Sequence, residues 1–130
     1  MKHKLLFKQI VISLTFSIGL LSAADIKDIK IPEKLDDATL KATKVLWDKE
    51  CAKCHGKDGA GKTKIGRKLD VLDYTDPEVQ AKFKVEHHYK NITEGVEKDG
   101  KTRMKAYKDK YKEQEILNLI AYIRTFVKKK

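Results

Sequence analysis

Cys51-Ala52-Lys53-Cys54-His55 decides how the rest of this 130-residue chain is read. Two thiols separated by two residues and followed at once by a histidine spell C-x-x-C-H, the pattern of covalent c-type haem attachment. The spacing has a chemical reason. Each thiol can add across one of the two vinyl groups of haem, and the thioethers then tie the porphyrin edge to one turn of backbone. The next side chain, His55, is carried to the face of the ring, where an imidazole nitrogen can bind iron. Cys51 and Cys54 are the only cysteines in the chain. Three other readings compete. A zinc ribbon wants a second cysteine pair or a paired histidine motif, and neither exists. A thioredoxin-like pair wants a preceding strand in a βαβ setting, whereas the run from Leu40 to Trp47 reads as helix. A structural disulfide here would close a very tight loop for a staple.

Outward from the motif, Asp37 reads as an N-cap, and Leu40, Thr43, Leu46 and Trp47 recur at helical spacing until Gly56 stops the helix. Gly59, Gly61 and Gly66, interleaved with Lys57, Lys62, Lys64, Arg67 and Lys68, read as a flexible basic loop. It lacks the G-x-x-x-x-G-K-[ST] spacing of a phosphate cradle, and its glycines let backbone pass close to the ring. Thr75-Asp76-Pro77-Glu78 predicts a helix start with Thr75 as cap and Pro77 early, running to about Lys84. A second helix follows through His87, Tyr89 and Ile92 to Gly95, and Val96 to Arg103 reads as polar loop around the turn pair Asp99-Gly100. The last helix spans Lys112 to Lys128, with Ile116, Leu119, Ile120, Ile123 and Phe126/Val127 as its apolar stripe and lysines at its negative end. No stretch reads as a strand, so the predicted fold class is all-α.

The chain is one domain in length, preceded by a segment that is not part of the fold. Lys2, Lys4 and Lys8, the mostly apolar run Ile10 to Leu21, and Ser22-Ala23-Ala24 form a secretory signal peptide over residues 1–24, with cleavage after Ala23 or Ala24. The apolar run is short for a membrane span; an uncleaved anchor would instead hold the protein at a membrane. Residues 25–36 read as an irregular charged leader whose isoleucines could fasten it to the body, and residues 37–130 as the domain proper. Export to the periplasm agrees with haem, because thioether assembly in bacteria takes place outside the cytoplasm. Charged residues make up 37% of the chain, which leaves little apolar material for a large core; a bound macrocycle would add apolar surface. Without the three signal-peptide lysines, 26 basic side chains face 19 acidic ones, a formal +7. An exported chain with no recognition motif is not a nucleic-acid binder. The charge fits an acidic redox protein or an anionic membrane surface instead.

A low-spin haem carrier closes both faces of its iron. The candidates for the second ligand are Met104, His87 and His88. Met104 is the only methionine left once the signal is removed, and it falls in a predicted loop rather than on an apolar helical stripe, where a methionine is ordinarily core filler. A thioether is neutral and favours ferrous iron relative to a second imidazole. His88 reads as packing and His87 as solvated, which leaves bis-histidine ligation as the alternative.

With these residues in view, the chain resembles a class I cytochrome c, a small domain of about four to five short helices around one covalently bound haem. Three blocks match in order: Leu46-Trp47 ahead of Cys51-Ala-Lys-Cys-His55-Gly56, the methionine segment Asp99 to Tyr107, and the closing helix Glu115 to Arg124. With Asp73-Tyr74-Thr75-Asp76 they cover nearly everything from Asp37 onward. The resemblance implies that Cys51 and Cys54 hold haem c, that His55 is the proximal and Met104 the distal iron ligand, and that the first and last helices cross. Thr43 and Trp47 would then pack near Leu119 and Tyr122, with Trp47 and Tyr122 structural rather than redox-active. Thr43 stands where relatives usually have glycine, which implies a slightly wider crossing. Gly66-Arg67 replaces the Gly-Pro pair whose carbonyl orients the proximal histidine, so the carbonyl serving His55 stays open. Lys105 stands where proline commonly follows the methionine, leaving that loop less stiff.

The function expected is that of a monomeric, non-enzymatic electron carrier passing single electrons between a donor and an acceptor redox protein with acidic docking surfaces. Lys53, Lys57, Lys62, Lys101, Lys105 and Lys108 are the candidate docking charges. The alternatives are a haem-bearing electron-entry subunit of an oxidase or dehydrogenase complex, and a weak peroxidase that would need an open iron position and a distal acid–base pair.

Overall fold

Asp36, one residue earlier than the sequence predicts, caps the first helix, α1 (Asp37–Glu50). Its carboxylate accepts the backbone N–H of Thr39 at 2.9 Å and the Thr39 hydroxyl at 2.6 Å, satisfying a donor that a helix start leaves free. The computed structural model describes residues 29–128; the signal peptide read over residues 1–24 and the start of the leader lie outside them. The described part of the leader carries no helix or strand, yet Leu35 is buried and Ile31 packs on the core. On α1 the buried positions are Thr43 and Trp47, while Leu40, counted in the predicted stripe, stays exposed.

The helix breaks at Cys51 and restarts as α2 (Ala52–His55), which Gly56 ends with φ +78. The glycine-rich stretch that follows is not a plain loop. Thr63 caps a short helix, α3 (Lys64–Leu69), accepting the Gly66 N–H at 2.8 Å while its hydroxyl donates to the Cys54 carbonyl at 2.8 Å. A Cβ at Gly66 would run into the carbonyls of Cys54 and Gly61, so α3 lies against the motif turn at backbone contact.

Next come α4 (Pro77–Ala81) and α5 (Val85–Glu94). The cap of α4 is Asp76, accepting from the Glu78 N–H at 2.8 Å, rather than Thr75. Thr75 is buried, and both its N–H and its hydroxyl donate to Asp73. Beyond Gly95, the predicted loop is a hairpin of β1 (Val96–Lys98) and β2 (Lys101–Met104), turned at Asp99 and Gly100 with φ 54 and 67. Positive φ at both turn residues matches the strand twist. The strands are too short to show a period of two, which is why the sequence reads them as loop. The last helix, α6 (Glu113–Arg124), stops short of the predicted Lys128. It buries Ile116, Leu119, Ile120 and Ile123 as expected, with Phe126 half-buried beyond its end and Val127 exposed. Among the described residues the fold is thus predominantly helical as expected, with six helices, several of them short, where about four to five are predicted, and one small hairpin. None of the described helices is long and apolar enough to cross a membrane.

The helices α1 and α6 pack together, and Trp47, 1% exposed, meets Tyr122 edge to face at 5.9 Å between ring centroids. Gly66→Ala tests the contact between α3 and the motif turn. The substitution should lower stability by about 1–3 kcal/mol, the usual cost of overpacking, read as a lower midpoint in chemical denaturation.

Candidate cofactor site

Between these elements lies a cavity of about 650 Å³. The motif turn supplies Cys51, Cys54 and His55, α5 supplies His88 and Ile92, β2 supplies Met104, and α6 supplies Leu119 and Ile123. All four residues singled out in the sequence therefore line one space, although 50 residues separate Cys54 from Met104.

The motif turn is held from several sides. The indole N–H of Trp47 donates to the Gly56 carbonyl at 3.0 Å, and the Gly61 N–H donates to the His55 carbonyl at 2.8 Å. Both cysteines are free thiols. Burial pushes the Cys51 thiol up to about 12, with the charges of Glu50 and Cys54 adding to it. Burial likewise lowers His55 to about 4, with a smaller push from His88. The imidazole is thus neutral at physiological pH. Tyr74 stacks on it at 5.4 Å and 23°, and Trp47 lies 5.8 Å away. His55 Nδ1 is buried and finds no protein partner. The carbonyl that the sequence leaves open is therefore not supplied by the Gly66-Arg67 segment.

Met104 is fixed by its backbone. It pairs with Val96, and Gly95, at φ +79, lets the Met104 carbonyl approach so closely that a Cβ would stand 2.7 Å from it. Tyr107 then donates its N–H to the Ile92 carbonyl at 2.9 Å and its hydroxyl to the Glu50 carbonyl at 3.3 Å. Glu50 closes this side, accepting from Lys110 at 2.7 Å and from the Tyr111 hydroxyl at 2.8 Å. The Lys110 hydrogen bond holds its carboxyl below the ordinary value, aided by Tyr111 and opposed by desolvation.

The two other histidines separate as the sequence suggests. His87 is exposed and bonds Asn91, while His88 is buried and stacked on Phe83 at 3.7 Å. His88 also borders the cavity, but its Nδ1 lies 2.9 Å from the Lys84 carbonyl, and its ring neighbours Tyr74, the same ring that stacks on His55. The sequence reading passes over Tyr107 and Arg103 as site residues. Tyr107 falls inside the methionine segment and Arg103 beside Met104, where nothing in residue type or spacing marks a role.

The donor set suits the macrocycle expected from the motif. Two free thiols stand on one turn, a neutral imidazole borders the same cavity, and a thioether reaches that apolar space. Comparison with known proteins points the same way. The family model described as Cytochrome c matches residues 40–126. No curated protein matches. Among solved structures, the chain is similar to the KustC0563 c-type cytochrome, at 31% identity and a TM-score of 0.59, covering 66% of this chain and 98% of that one.

Proposed function

The chain belongs to the cytochrome c family, whose members carry covalently attached haem c and serve haem-based electron transfer; from that premise we propose that it is an exported, periplasmic electron carrier with histidine–methionine ligation. Cys51 and Cys54 bear the thioethers, His55 is the proximal ligand and Met104 the distal one. The observation that carries this reading is the convergence of all four on one cavity. Export rests on the basic start, apolar run and small-residue site of residues 1–24.

Bound haem supplies a one-electron ferric/ferrous couple. The protein keeps His55 unprotonated by burial and positions its ring with Trp47 and Tyr74. Leu119 and Ile123 keep water from the inner wall, each at most 4% exposed. Met104 contributes a neutral sulfur, which favours the ferrous state relative to a second imidazole. The engagement of His88 with Lys84 and Phe83 supports methionine over bis-histidine ligation. Lys53, Lys57, Lys62, Lys101, Lys105 and Lys108 are all exposed, and of these Lys62 makes a loose pair with Asp73 at 3.9 Å. Their summed field suits an acidic donor and acceptor.

Met104→Ala should lose the sulfur-to-iron charge-transfer band of the ferric optical spectrum while the mass still shows one haem. A variant spectrum identical to the parent's would remove Met104 from the iron. Acid titration tests His55. Its folded value near 4 lies below the ordinary 6.5, so the unfolded state binds more protons between them. Stability should therefore decline as pH falls from 6.5 toward 4. Electron transfer to an acidic partner should slow as salt rises. Stopped-flow rates that stay level from low to high ionic strength would exclude a role for the lysine field.

A further inference from the structure

One side chain in the methionine hairpin is unaccounted for by ligation. Pairing runs Lys98 with Lys101 and Glu97 with Thr102, but then Val96 with Met104, so Arg103 is an extra residue on β2. Consecutive residues of a regular strand point to opposite faces, and a bulge re-aims one of them. Here Arg103 and Met104 are adjacent, both half-buried, and both line the cavity.

The guanidinium of Arg103 is only partly satisfied. Its Nε is buried and has no hydrogen-bond partner in the protein, while Nη2 lies 3.9 Å from Oδ2 of the largely exposed Asp99. A guanidinium is a fixed cation whose forked N–H donors match a carboxylate, and leaving one of those donors buried without an acceptor is costly. The chain's own carboxylates around the cavity do not supply the acceptor. Glu50 is taken by Lys110 and Tyr111, and Asp70 is exposed. Arg103 is also the one basic residue of arginine or lysine type on this wall that is not exposed; Lys49, Lys53 and Lys105 all are.

Haem brings two propionate carboxylates into this cavity. We propose that Arg103 binds a haem propionate through its guanidinium, which rests on haem lying in this cavity as argued above. The bulge then has a purpose beyond placing the sulfur: it sets an iron ligand and a carboxylate partner on the cavity lining from neighbouring positions. The consequence for redox chemistry follows from charge. An ionised propionate stabilises ferric iron, which carries one more positive charge than ferrous, and a cation bound to that carboxylate offsets the effect. Arg103 therefore raises the midpoint potential.

The test uses the haem-loaded protein with Arg103→Gln and Arg103→Lys. In Arg103→Gln the potential should fall, and the propionate bending band in the resonance Raman spectrum should move to lower frequency, with the sulfur-to-iron band retained. Arg103→Lys keeps the charge and loses the fork, so its potential should stay near the parent's while the bending band still shifts. Parent values for both quantities in Arg103→Gln would overturn the proposal. The isotope-labelled ferrous parent supplies a reading independent of how the variants fold. A slowly exchanging Arg103 guanidinium N–H proton with nuclear Overhauser contacts to the propionate methylenes is expected, and absence of those contacts overturns the assignment. Failure of the underlying haem reading would look different, because the parent's mass would then be that of bare polypeptide.

Discussion

Trp47 is the contact on which the rest of the structure depends. Its ring is 1% exposed and meets His55, Tyr74, Tyr122 and Phe126, with centroids between 5.0 and 6.5 Å away. Its N–H closes on the Gly56 carbonyl at the end of the motif turn. One side chain thus joins the packing of α1 on α6 to the turn that carries both thiols and the imidazole. A buried indole also needs a partner for its single donor, so the position of that turn follows from the same residue that fills the helix contact.

The opposite wall is built by other means. Backbone places Met104, through the close approach at Gly95 and the Tyr107 bond to the end of α5. Glu50 ties the two walls, since its carboxylate takes Lys110 and Tyr111 while its carbonyl takes the Tyr107 hydroxyl. The segment after Met104 is therefore anchored to both α5 and the end of α1. That anchoring answers the concern raised by Lys105 standing where a proline commonly would: stiffness here comes from cross-links to two helices rather than from a restricted backbone angle.

What was legible in the sequence was what depends on side-chain type and spacing. The C-x-x-C-H turn, the stripe of α6 and the separation of His87 from His88 all belong to that class. What was not legible depended on short-range competition or on distant partners. Asp36 and Asp37 are the same residue type, and only backbone geometry decides which one caps α1. The helix α3 forms in a glycine-rich basic stretch because Thr63 bonds both Gly66 and the Cys54 carbonyl, and the second of those partners is remote in the sequence. The hairpin is hidden by its length and by the extra residue in β2, which destroys alternation where it would have shown. Glycine at position 66 reads as flexibility in one dimension and as close contact in three.

The Cys51 thiol, pushed up to about 12 by its surroundings, carries a consequence for biogenesis. Sulfur attacks as the thiolate, and within the closed fold that form is scarce. On the proposed attachment, bond making at this sulfur belongs to an open precursor in which water still reaches the side chain. The finished architecture is then a product of ordered maturation: linkage comes first, and collapse around the pigment follows.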